Sequence, residues 1–236
     1  VRATKVYDSD GSFGVTLEVG DEVLTRKLVL TTGVADELPD KPGFLELWGR
    51  GVYHCPYCHG WEVRDRPLAV MAGGDEGAER AVLIRNWSRD LVALTDGTPL
   101  GDGARARLAA LGVSVREERI ARLEGDTHGG GLGRMLFEDG ASIERESLFY
   151  GSPQRQRSGL SEALGCEVVA MGPAVEVVEA DPMTGETSFP GVYAVEDAGS
   201  LNHALCNEDA ELEISSAGNG DATSGAADAT VRGEAI

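Results

Sequence analysis

Cationic side chains are scarce in this chain, and lysine is the scarcest. The 236 residues carry 40 Asp and Glu against 21 Lys and Arg, only three of them lysine (Lys5, Lys27 and Lys41), for a net charge of -19. Such a surface repels phosphodiester backbones and anionic headgroups, so neither nucleic acid nor membrane is expected as a partner. Long hydrophobic runs are also lacking, with nothing near the ~20 apolar residues of a membrane span. The first residues show no signal or transit peptide, and the chain starts at Val1 rather than Met. Cysteine is sparse. Of Cys55, Cys58, Cys166 and Cys206 only the first two are close in sequence. That excludes a disulfide-stapled secreted scaffold and fits a cytoplasmic chain with one special pair. Apolar content of 42% marks a globular class, long enough for one large domain or two small ones.

Residues 1–33 read as β structure, with Val15, Leu17 and Val19 alternating between the turns Asp10-Gly11 and Gly20-Asp21. Leu28–Leu30 reads as a short buried strand entering the small-residue turn Thr31-Thr32-Gly33. Pro39 and Pro42 mark a connecting segment over 35–50. Leu68–Ala72 predicts a strand, Gly73–Gly77 a turn, Ala78–Trp87 a helix and Leu91–Leu94 a second strand. That is a βαβ unit, the signature of a parallel sheet. A helix over Ala104–Leu111 and a strand over Val113–Arg116 follow, then short strands in 132–150 broken at Asp139-Gly140. Later strands are expected at Glu167–Ala170, Ala174–Val178 and Gly191–Val195. Residues 215–236 lack aromatics and read as a disordered tail.

Cys55-Pro-Tyr-Cys58 carries the sharpest chemistry. Two intervening residues allow a small disulfide ring at the start of a helix, where the dipole favours the thiolate that exchanges disulfides. The same spacing also occurs in half-sites for zinc and, with His59 following, in c-type haem attachment. Zinc needs a second ligand pair, and only the scattered His54, Cys166, His203 and Cys206 are present. No metal is expected. Two packed cysteines without chemistry remain the bland alternative.

Ala72-Gly73-Gly74-Asp75-Glu76-Gly77 lies where a strand-to-helix dinucleotide fingerprint belongs, its glycines letting backbone approach a pyrophosphate on the helix N-terminus. Ala72 replaces the first glycine, and a plain strand-to-helix turn is the alternative reading. Asp96 closes the next strand, where an acid binds ribose hydroxyls in NAD enzymes or simply occupies a surface turn.

Taken together, Cys-Pro-Tyr-Cys-His-Gly-Trp-Glu (55–62), the glycine turn and Asn86-Trp87-Ser88 resemble the thioredoxin-reductase-like FAD/NAD(P)-dependent pyridine nucleotide-disulfide oxidoreductases. Within them the chain resembles the CxxCHG subgroup, related to dithiol oxidases. Thr31-Thr32-Gly33 resembles the family's Ala-Thr-Gly turn, and Pro190–Ala198 resembles its late Gly-Val-Tyr-Ala-x-Gly-Asp-Ala motif. The resemblance implies an α/β fold in which a split FAD-binding domain, here truncated, encloses an inserted Rossmann-like nicotinamide-nucleotide domain. Residues 1–40 would end the first FAD half, 41–151 would be the NAD(P) domain with the CxxC, and 152–214 would be the second FAD half. The chain starts downstream of the FAD fingerprint and is expected to be N-terminally incomplete.

The implied reaction passes electrons from NAD(P)H through FAD to Cys55–Cys58, then to a small-molecule or protein disulfide. Its rivals are an oxygen-using dithiol oxidase and a flavin-free redox-sensing or interaction module. The resemblance assigns Cys58 to electron transfer with the flavin and Cys55 to interchange with substrate. His59, where the classical reductases have an acid, would shuttle the thiol proton, or else is a packing or capping histidine. Gly73, Gly74, Asp75, Gly77 and Asp96 would contact the nicotinamide nucleotide, and Thr32, Gly33 and Asp197 the flavin. A homodimer is implied by resemblance. Glu196, where the family has glycine, is expected to crowd the flavin phosphates.

Overall fold

The computed structural model describes residues 1–126, 131–170, 176–195 and 198–199. The chain divides into two compact units. One joins Val1–Glu37 to the segment beginning at Pro153, and the other is Leu38–Ser152, contained between them. The first unit opens with β1 (Ala3–Ser9), β2 (Ser12–Leu17) and β3 (Glu22–Thr25), an antiparallel meander, followed by β4 (Leu28–Leu30) and β5 (Val34–Asp36). Val19 is exposed in the turn after β2 and does not continue the expected alternation.

The contained unit runs α1 (Phe44–Leu47), β6 (Val52–Tyr53), α2 (Pro56–His59), β7 (Leu68–Met71), α3 (Gly74–Ile84), β8 (Leu91–Leu94), α4 (Asp102–Ala110), β9 (Ser114–Arg116), β10 (Ile120–Asp126), β11 (Gly131–Phe137), β12 (Ser142–Glu144) and β13 (Ser147–Phe149). Its core is a five-stranded sheet ordered β6-β13-β7-β8-β9 with every pairing parallel. This is the α/β class and parallel sheet that the sequence led us to expect.

Side-chain alternation explains why β7 and β8 are apolar throughout. Leu68, Val70, Leu91, Ala93 and Phe149 pack with Ala78, Ala81 and Ile84 of α3 and Leu108 of α4. Ala69, Val92, Leu94 and Leu148 turn to the other face and pack with Ile120, Leu123, Leu132, Met135 and Phe137 of the β10-β11-β12 meander. A parallel sheet covered on both faces has no solvent side and needs no polar positions.

Helix α3 begins at Gly74, a full turn before the expected Ala78. What reads as a glycine-and-acid turn is already helix. A β-carbon on Gly77 would fall inside the backbone of Ala72, so only glycine lets this first turn close onto the end of β7. Ala72 itself is fully buried.

The first unit resumes with β14 (Gln154–Gln156), α5 (Leu160–Leu164), β15 (Val168–Ala170), β16 (Glu176–Val178) and β17 (Val192–Ala194). β14 pairs with β5, and β17 runs parallel beside β4, so strands from both ends of the sequence share one core of Val6, Phe13, Val15, Leu28, Leu30, Val178, Val192 and Ala194. The tail expected over 215–236 lies outside the described residues.

The glycines of the contained unit give two opposite expectations. Ala at position 77 gains up to about 1 kcal/mol of helix propensity. The collision with Ala72 costs more, so Gly77→Ala lowers stability by about 1–3 kcal/mol net. Gly103 in α4 has nothing within reach of an added methyl, so Gly103→Ala is expected to gain roughly 0.5–1 kcal/mol. Urea denaturation curves of the two variants check both signs.

Candidate active site

Helix α2 is a single turn, shorter than a helix with a developed dipole. Cys55 is its N-cap in extended conformation, and Pro56 occupies the first helical position, where its fixed φ and missing N–H suit the helix start. The Cys58 amide donates to Cys55 Sγ at 3.3 Å, and the two sulfurs lie 2.7 Å apart without a covalent link. Cys55 Sγ is thus the acceptor of this small ring. Cys55 is half-buried and Cys58 exposed. The Cys55 sulfur is engaged by hydrogen bonding within one turn rather than by a long helix.

His59 lies flat on Tyr53, ring centroids 4.4 Å apart and planes 13° from parallel. Its Nδ1 is buried without a hydrogen-bond partner. Burial, reinforced by Glu62 and opposed by Arg66, pushes the Tyr53 phenol above its ordinary range. Gly60 carries no side chain for a steric reason. A β-carbon there would strike the Pro56 carbonyl and the indole of Trp87. The Asn86-Trp87-Ser88 segment braces the loop further, since the Trp87 carbonyl accepts the Asp65 amide at 2.9 Å and Ser88 Oγ donates to the Arg66 carbonyl at 2.6 Å.

The nucleotide-fingerprint residues come together at one end of the sheet. Gly73 is the N-cap of α3 with no side chain to satisfy the first amides. Gly74 adopts φ 70 with open space beside it. A β-carbon on Gly73 would meet Thr98 at 3.2 Å, and one on Gly101 would stand 3.1 Å from Asp75 Oδ1, so the loop after β8 flanks the turn. Thr95, in that loop, is buried with Oγ1 unpartnered. Uncapped amides, an open glycine and an orphaned hydroxyl fit a pyrophosphate-bearing ligand. The carboxylates of Asp75 and Glu76 oppose its charge.

Asp96 is otherwise engaged. Its Oδ1 accepts from Lys41 Nζ at 2.8 Å and from the Ile120 amide at 2.7 Å, and its backbone takes φ 50. Through these bonds Asp96 braces the segment approaching α1 against β10.

Thr32 and Gly33 lie between β4 and β5 in the other unit. Gly33 takes φ 63, and the turn is gripped by Arg157, whose amide donates to the Gly33 carbonyl at 3.2 Å and whose guanidinium donates to the Val34 carbonyl. β17, the strand of the late motif, runs beside β4, with the Val195 amide reaching the Leu30 carbonyl at 3.3 Å. Asp197 and Glu196 lie outside the described residues, as do His203 and Cys206. The described residues offer only the Thr32–Gly33 turn toward a flavin, which is too little of a cradle to derive any step through one. Among the described residues no cluster of three His, Cys, Asp or Glu is placed to hold a metal ion, and no helix is long and apolar enough to cross a membrane.

Sequence reasoning missed three neighbours of the cysteine pair. His54 Nδ1 lies 2.9 Å from Ser152 Oγ. Tyr53 supports His59. Arg80 of α3 reaches back to the His54 carbonyl at 3.5 Å. Their partners come from different chain segments, and no spacing rule links them.

A family model described as pyridine nucleotide-disulphide oxidoreductase matches residues 2–210. The thioredoxin reductase tcpT of Claviceps purpurea (strain 20.1) is 34% identical over 209 residues, covering 85% of this chain and 63% of that protein. Among solved structures, the putative thioredoxin reductase TrxB from Bacillus anthracis aligns with a TM-score of 0.74 at 30% identity, over 84% of this chain and 64% of that one. The structure of HlmI aligns with a TM-score of 0.75 at 36% identity, over 84% and 61%. The chain spans less than two thirds of the length of each of these relatives. With a family match over most of its length and a parallel-sheet unit carrying a cysteine pair, this chain belongs to the pyridine nucleotide-disulphide oxidoreductases and is thioredoxin-reductase-like.

Proposed function

We propose that this chain carries the dithiol and nicotinamide-nucleotide parts of a flavin-dependent disulfide oxidoreductase of the CxxCHG kind. The carrying observation is Cys55 Sγ accepting both the Cys58 amide and the Cys58 thiol. A sulfur held that way is oriented to attack once it is a thiolate. The Cys55 thiolate displaces one sulfur of a substrate disulfide, the electron pair of the broken S–S bond leaves on that sulfur, and a mixed disulfide forms. The deprotonated Cys58 sulfur then attacks Cys55 Sγ and expels the second substrate sulfur. The substrate is reduced to a dithiol, and Cys55–Cys58 is oxidised to a disulfide. His59, adjacent to Cys58 and packed on Tyr53, supplies the proton that the leaving thiolate takes up. The imidazole also accepts the one released by Cys58.

The turn Gly73, Gly74 and Gly77 would hold the pyrophosphate of NAD(P)H, which supplies reducing equivalents when bound. Asp96 then acts as a brace rather than a ribose ligand. Thr32, Gly33 and Asp197 would belong to the flavin side, through which the family passes electrons to the pair. The paucity of cysteine supports a cytoplasmic setting.

Titrating the reduced chain with oxidised glutathione is expected to give an intramolecular Cys55–Cys58 disulfide by peptide mass mapping, with Cys166 still reduced. Linkage of either cysteine to Cys166 or Cys206 instead, or no linkage at all, would sink the redox-pair reading. Calorimetry with NADH and NADPH tests the glycine turn separately. Gly74→Glu places a carboxylate where the pyrophosphate sits and is expected to weaken binding about tenfold or more. Unchanged binding in that variant means that Gly73–Gly77 is a turn and nothing else. In a flavin-loaded protein, NAD(P)H consumption marks the reductase direction, and peroxide formation from dithiols marks the oxidase.

A further inference from the structure

The cysteine pair has a fixed positive charge beside it that the family motifs do not include. Arg80 lies two turns into α3, half-buried, and its Nη1 donates to the carbonyl of His54, the residue immediately before Cys55, at 3.5 Å. Its guanidinium lies against Gly151, so close that a β-carbon at that position would overlap Nε, Cζ and Nη2. Gly151 in turn precedes Ser152, whose hydroxyl meets the His54 ring. Backbone on two sides thus fixes the guanidinium next to the loop that bears the thiol.

Burial pulls the guanidinium below its ordinary range, while the nearby Cys55 sulfur and Glu76 carboxylate pull it back up. The other titratable groups around Cys55 are Cys58 and His59 on α2, Tyr53 and His54 leading into it, and Glu76 one turn before Arg80. Glu62 and Arg66 act on Tyr53, and Arg80 is the permanent cation bonded to the backbone next to Cys55.

We propose that Arg80 is a positioning residue for the Cys55 nucleophile, holding the negative charge of the dithiol on Cys55 Sγ rather than on Cys58. This rests on the redox-pair reading above. The motif spacing makes two sulfurs available, and the cation decides which of them carries charge. A planar guanidinium pressed on Gly151 cannot swing away as a lysine could. The arrangement therefore works as a fixed field and not as a mobile counter-ion.

The test compares Arg80→Lys with Arg80→Met in the full 236-residue chain. Both substitutions lose the planar fork to the same extent, and only lysine keeps the charge. Reduced protein is treated with iodoacetamide across pH, and alkylation of Cys55 is followed by mass spectrometry with Cys166 as internal reference. A cation worth an order of magnitude in thiolate population changes the rate by less, because a more basic thiolate is intrinsically more nucleophilic. The expected rate for Arg80→Met at pH 7 is about threefold below that of Arg80→Lys, and the two rates converge above about pH 10, where the thiolate is fully formed in both and the lysine loses its charge. Purely structural damage leaves the two rates apart at every pH.

Equal Cys55 rates in the two variants overturn the proposal. If Arg80→Met does not fold, Glu76 gives the same readout, because Glu76→Gln relieves Arg80 of its competing carboxylate and is expected to speed Cys55 alkylation at pH 7. An unchanged rate there also overturns the proposal. Failure of the redox-pair reading looks different, since the Cys55–Cys58 disulfide then does not form in the unaltered chain.

Discussion

The close seating of α3 on the end of β7 is the constraint from which the functional geometry follows. Gly77 against Ala72 leaves no room for a side chain, so the first turn of α3 lies directly on the strand end. Its uncapped amides therefore face the loop after β8. Three residues beyond Gly77, within the same helix, comes Arg80. The same close approach thus places uncapped amides at one end of the helix and a cation beside the dithiol along its length. A bulkier residue at 77 would displace both.

The dithiol depends on this frame only indirectly. Its own geometry is set within one turn by an extended N-cap, a proline after it and a glycine under Trp87. Local determinants of this kind survive in a sequence as a contiguous motif, which is why Cys55-Pro-Tyr-Cys58-His59-Gly60 is legible from the order of its residues alone. The covered parallel sheet was legible for a similar reason. Strands buried on both faces must be apolar at every position, and Leu91–Leu94 meets that demand throughout.

Other features were hidden because they depend on contacts between distant segments. Asp96 looks the same in a ribose site and in a brace, and its bonds to Lys41, 55 residues away, and to the Ile120 amide could not be read from the sequence. The start of α3 was obscured because two glycines and an aspartate have low helix propensity, a weakness outweighed by the packing of Ala78, Ala81 and Ile84. Arg80, His54 and Gly151 come from three separate segments and follow no periodicity. Val19 misled in the opposite direction, continuing an apolar alternation past the point where Gly20 turns the chain.

The pairing of β5 with β14 bears on how the chain acquires its fold. These short strands, joined by Gln154↔Asp36, Arg155↔Ala35 and Gln156↔Val34, form a stem from which the contained unit departs and to which it returns. While Leu38–Ser152 is unstructured, closing that stem means closing a loop of on the order of 100 residues, an entropic cost of about 4–5 kcal/mol that three residue pairs do not offset. Once the contained unit has collapsed, its own tertiary structure restrains the distance between its two ends and most of that cost is gone. The order of assembly is thereby biased: the middle of the sequence becomes ordered first, and the flanking unit, built from the two outer stretches, closes around a connection already made short.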